Sequence, residues 1–152
     1  MAQTKAFVWD QGADLLVQMI YKEGATAETA VAVDLSSNYA VRMDIVVPST
    51  KERIYTFNSE ELADVDPLTT GAQPDSVVEG VLSSGASGTP NISITVPRSL
   101  TLPGGSVYEK FTGTPPVGVY NYDVFLRNTS SDKQSKILQG TITINESYTL
   151  WL

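Results

Sequence analysis

The sequence predicts an all-β fold, an antiparallel β-sandwich of about eight strands with two long loops. Three observations predict it. Apolar residues recur at period two in several short segments, the spacing that sets one strand face on a core and the other in water. Pro, Gly, Ser, Asn and Asp punctuate the chain between those segments. No segment keeps a helical period for longer than about two turns.

The segments justify this in order. Phe7-Val8-Trp9-Asp10 opens as a strand, and Gln11-Gly12-Ala13-Asp14 turns it. Leu15, Val17, Met19 and Tyr21 then share one face, with Gln18 and Lys22 opposite, and an irregular or extended piece leads on to Asp34. Val41, Met43, Ile45 and Val47 alternate with Ala40, Arg42 and Asp44, a core face set against a wet one. Pro48 ends that strand because it has no N–H for the ladder. A short loop at 49–52 returns the chain as Arg53-Ile54-Tyr55-Thr56-Phe57, which predicts an antiparallel hairpin.

Residues 59–76 break the pattern and form the first long loop, with a helical turn expected at 59–63, where Ser59 suits a cap and Glu60 and Glu61 suit a helix start. Residues 77–82 are a weaker strand, and residues 91–96 alternate cleanly up to Pro97. The second long loop, 98–116, holds Pro103, Gly104, Gly105, Gly113, Pro115 and Pro116. Tyr120, Tyr122, Val124 and Leu126 then line one face, and Leu138, Ile142 and Ile144 align around Gly140. Residues 148–152 are expected to add a terminal strand. The Gly-x-Tyr-x-Tyr run at 118–122 is similar to the penultimate strand of immunoglobulin-like domains, without their cysteine pair.

At 152 residues the chain fits a single sandwich domain, 1–152, large enough to hold its core without staples. It has no cysteine, so disulfides, thiolate metal sites and cysteine nucleophiles are excluded. It has no histidine, which removes serine–histidine hydrolysis and most zinc or iron sites. The net charge of −7, with ten basic residues scattered singly, offers no footprint for nucleic acid. No run is apolar enough for a secretory signal or a spanning helix, so no membrane insertion is expected. Asn91, Asn128 and Asn145 match the glycosylation triplet, a pattern that recurs by chance in Ser/Thr-rich chains.

No residue set reads as a catalytic, cofactor or metal site. The acidic loop with Glu60, Glu61, Asp64, Asp66 and Asp75 lacks the ligand spacing of a calcium loop and reads as a solvated loop. No two of the seventeen carboxylates stand out as an acid/base pair. Gly104-Gly105 is a turn, because no Lys-Ser or Lys-Thr helix follows it. The candidate contact residues are Trp9, Tyr108, Phe111, Leu150 and Trp151. Aromatics anchor interfaces, and Trp9 or the 149–151 tail is placed to pair with a neighbour across an open sheet edge.

Taken together, Trp9-Asp10-Gln11-Gly12-Ala13-Asp14-Leu15, Val33-Asp34-Leu35 with Tyr39-Ala40-Val41-Arg42-Met43-Asp44-Ile45, Tyr55-Thr56-Phe57-Asn58-Ser59, Ile94-Thr95-Val96-Pro97 and Tyr122-Asp123-Val124-Phe125-Leu126 resemble the β-sandwich family of long-tailed bacteriophages that includes the tail collar protein to which lateral tail fibres attach. The resemblance covers most of the chain. It implies a non-enzymatic structural protein of the virion tail, made in the host cytoplasm. Such a protein forms a homo-oligomeric ring in a collar or baseplate, has tail and fibre proteins as partners, and needs no cofactor. Two other readings are a carbohydrate- or receptor-binding module using Tyr108, Phe111 and Trp151, and a capsid decoration protein.

Overall fold

Two sheets enclose one apolar core in this computed structural model, which describes residues 2–59 and 79–152. The all-β class is as the alternation predicts. The strands are β1 (Gln3–Thr4), β2 (Phe7–Asp10), β3 (Leu15–Met19), β4 (Lys22–Glu23), β5 (Val31–Ala32), β6 (Tyr39–Val46), β7 (Arg53–Asn58), β8 (Glu79–Leu82), β9 (Ile92–Val96), β10 (Gly118–Asn128) and β11 (Gln134–Asn145). The larger sheet runs β1-β11-β10-β6-β7, and β2 follows β1 along the same edge of β11. The smaller sheet runs β3-β9-β8. Among the described residues, pairing is antiparallel except at β1 and β2, which lie parallel to β11.

Alternation decides which side chains meet. Met43 and Ile45 from β6, Tyr120, Tyr122, Val124 and Leu126 from β10, and Leu138, Ile142 and Ile144 from β11 face Leu15, Val17, Ile92, Ile94 and Val96 of the smaller sheet. Burying each aliphatic side chain contributes about 1.5–3 kcal/mol. At two places the alternation slips. The register shifts opposite Ile54 on β7 and opposite Ile137 on β11, and each bulge leaves two consecutive residues buried, Ile54 with Tyr55 and Ile137 with Leu138.

The parallel edge rests on Gly140, whose φ of +152° favours glycine and whose Cβ, if present, would overlap the Lys5 carbonyl. That carbonyl accepts the Tyr122 hydroxyl proton at 2.8 Å, so a phenol from the core side of β10 ties down the N-terminal strand.

Several expectations are corrected. The piece between β3 and β6 is a short β4–β5 ribbon, clamped by the fully buried Asn91. Its side-chain oxygen accepts from Tyr21 N at 2.7 Å, and its Nδ2 donates to the carbonyls of Tyr21 and Val33 at 2.8 and 2.9 Å. The second long loop is an ordered cap, with a 3₁₀ turn at Arg98–Thr101 and a helix α1 at Ser106–Lys110, and it buries Leu100, Thr101 and Val107. Gly105 permits this, since a Cβ there would overlap the Ser99 carbonyl. Residues 148–152 form no strand. The helical turn expected at 59–63 and the acidic loop 60–75 lie outside the described residues, apart from Ser59, a bend.

Candidate functional site

The predicted contact residues gather at one end of the sandwich, where β2 leaves the larger sheet and the C-terminal tail returns. Gln11 N donates to Asn145 O at 2.9 Å, Gln11 Nε2 to Thr101 O at 3.1 Å, and Gly12 N to Thr101 Oγ1 at 2.9 Å. Arg98 joins both sides, its N–H on Asp14 Oδ1 at 2.8 Å and its guanidinium on the Trp151 carbonyl at 3.3 Å. The turn, the 3₁₀ cap and the tail are thereby held as one surface.

Within that surface the five candidates separate. Trp9 is corrected from contact residue to core: it is fully buried, and its indole N–H donates to Ala13 O at 2.8 Å. Phe111 is half-buried and packs edge-on against Tyr120, with ring centroids 5.9 Å apart. Leu150 is half-buried, facing Gly12. Tyr108 is half-buried on α1. Trp151 alone of the five is strongly exposed, at 80%, and the same tail exposes Tyr148 and Leu152, which the sequence pattern does not single out.

A second surface was not anticipated, the outer face of the larger sheet. Register puts Asp123 of β10 directly opposite Asp44 of β6, and Phe125 opposite Arg42. Gln139 and Lys136 on β11 flank Asp123 and Phe125, and Thr56 on β7 flanks Asp44. Like charges facing across a pair are unfavourable unless compensated. Here Asp44 accepts from Arg42 Nε at 3.3 Å and from the Thr56 hydroxyl, and it forms an ion pair with Arg53 Nε at 3.5 Å. Asp123 pairs with Lys136 Nζ at 3.6 Å, and the Arg53 charge also acts on it. Burial therefore holds the Asp123 carboxyl above its ordinary value, and the Asp44 charge adds to the shift while Lys136 opposes it.

Two open hollows lie on this face. One hollow of about 570 Å3 lies over Asn121, Asp123, Gln139 and Thr141, and an adjoining one of about 380 Å3 lies over Phe125, Arg42, Asn58 and Gln134; Asp44 borders both. The wet side of each strand was legible from alternation, but the adjacency of Asp44 and Asp123 was not, because β6 and β10 are far apart in sequence and only the sheet order joins them.

Burial pushes the Tyr122 phenol up to about 12, so it is a hydrogen-bond donor at neutral pH. Among the described residues no group of three or more Asp or Glu is placed to hold a metal ion, and no helix is long and apolar enough to cross a membrane. The Asn91 amide is spent on the backbone of Tyr21 and Val33, which removes that glycosylation triplet from the folded surface. No protein-family model matches this chain, and no curated protein sequence matches it.

Proposed function

We propose that this chain is a non-catalytic structural subunit of a tailed-bacteriophage virion, a collar or baseplate ring component that attaches or supports lateral tail fibres. The geometric observation that carries the reading is the bare apolar end. Tyr148, Trp151 and Leu152 are 96%, 80% and 91% exposed on a surface braced by Arg98, Gln11 and Thr101. Large apolar side chains held in water on a rigid base suit an assembly contact. The strand-and-turn resemblance from Trp9 to Leu126 supplies the virion context.

In the same reading the sandwich is immunoglobulin-like. The order β11-β10-β6-β7 opposite β3-β9-β8 parallels the G-F-C-C′ and B-E-D sheets of that architecture. Tyr120, at the start of β10, donates its hydroxyl to Pro116 O at 3.3 Å, the back-bond of a tyrosine corner. Copies packed head to tail about the tail axis close into a ring, with tail and fibre proteins on the remaining surfaces. Mass spectrometry of purified virions tests the proposal: the chain is expected in many copies per particle, and intact particles without it would overturn the reading.

A further inference from the structure

We propose that the outer face of the larger sheet is a saccharide-binding groove. The two hollows adjoin at Asp44 and make one trough across the strands. Each lies within the roughly 300–1,000 Å3 span of small-ligand sites. Side-chain amides line it at both ends, Asn121 and Gln139 in the larger hollow and Gln134 in the smaller, with Thr141 beside them. An amide offers a donor pair and an acceptor on one planar group. That combination matches the paired donor and acceptor character of neighbouring sugar hydroxyls.

Two further observations suit a sugar. Asp123 sits in the floor with its carboxylate held mainly by one 3.6 Å contact to Lys136, which leaves acceptor positions for hydroxyl protons. Asp44 and Asp123 share the larger hollow with Lys51, Arg53 and Lys136, so both signs of charge line it and sugar hydroxyls meet donors and acceptors alike. Phe125 is 36% exposed in the smaller hollow, one row from Asp123, with Lys136 Nζ 5.7 Å from its ring centroid, and the exposed part of the ring supplies an apolar surface for the C–H face of a sugar. The braced end with Tyr148 and Trp151 is a separate surface, so a saccharide in the trough does not compete with contacts made there. This inference is independent of the virion role.

The test uses the full chain on a printed array of neutral and uronic-acid-containing oligosaccharides up to six rings long. The best binder is then followed by 15N NMR titration. Binding is expected to shift amides in 121–125 and 134–141. Phe125→Ala and Asn121→Ala should each weaken it at least tenfold, and Trp151→Ala should leave it unchanged. Urea midpoints confirm that each variant is folded, and Asp123→Asn replaces any variant that is not. Absence of binding across the array overturns the proposal, as do shifts confined to the tail or affinity indifferent to these substitutions.

Discussion

Replacing Asn91 by alanine should unhook the β4–β5 ribbon from the smaller sheet. Asn91 is fully buried, and around its amide stand one N–H, from Tyr21, and two carbonyls, from Tyr21 and Val33. Only one orientation of the amide satisfies all three. The Tyr21 carbonyl keeps a second donor, Val33 N at 3.1 Å, so alanine orphans two groups, Tyr21 N–H and the Val33 carbonyl. A buried orphan costs about 1–3 kcal/mol, and because these two are part-buried the loss lies toward the low end of about 2–6 kcal/mol. That is a large part of the roughly 5–15 kcal/mol by which a domain is stable. With a urea slope of about 2 kcal/mol/M, a loss of about 3 kcal/mol lowers the unfolding midpoint by about 1.5 M. Asn91→Asp sharpens the test, since it keeps the volume and one acceptor but aims a carboxylate at two carbonyls. The introduced group then has a folded-state pKa above its unfolded one. Its deficit is therefore full above the folded pKa and shrinks as pH falls through it, so the gap to wild type should narrow between pH 7 and pH 4. A midpoint for Asn91→Ala within about 0.2 M of wild type would refute the clamp, because surface-like substitutions shift stability by no more than about 0.5 kcal/mol.

Three further outcomes follow from named contacts. Gly140→Ala drives a methyl into the Lys5 carbonyl at a φ of +152° and should cost about 1–3 kcal/mol, with hydrogen exchange at Lys5 N–H, now bonded to Gln139 O, accelerating first. Tyr120→Phe removes the bond to Pro116 O and should cost about 0.5–1.5 kcal/mol in urea titrations. Asp123, whose carboxyl is raised by burial, takes up its proton more readily folded than unfolded, so it opposes folding above its folded pKa and stops doing so below its unfolded one. Carboxyl 13C titration should find it above the usual aspartate range, and Asp123→Asn should not lower stability at pH 7.

Much of the fold was legible because period two is a local signal. The inward faces of β3, β6, β9 and β10 could be assigned from Val17, Met43, Ile94 and Val124 without knowing their partners. The β6–β7 hairpin followed from Pro48 and a short loop, since neighbours in sequence pair at small entropic cost. Less was legible at the candidate surfaces. Trp9 and Trp151 look alike as isolated tryptophans, yet one is sealed in the core and the other stands in water. Breakers in 98–116 marked an irregular segment correctly but gave no sign that Leu100 and Val107 turn inward to cap the core.

The sequence by itself determined an all-β chain, the wet and dry faces of most strands, and the exclusion of histidine and cysteine chemistry, because each depends on residue type or on spacing within a few residues. The tertiary structure decided what long-range pairing alone can decide. It set the order β11-β10-β6-β7, which brings Asp44 and Asp123 face to face, and the docking of the N-terminal strand on Gly140. It also braced the tail that leaves Trp151 exposed. Register between strands dozens of residues apart is chosen by the packing of the whole core, and no local pattern encodes it.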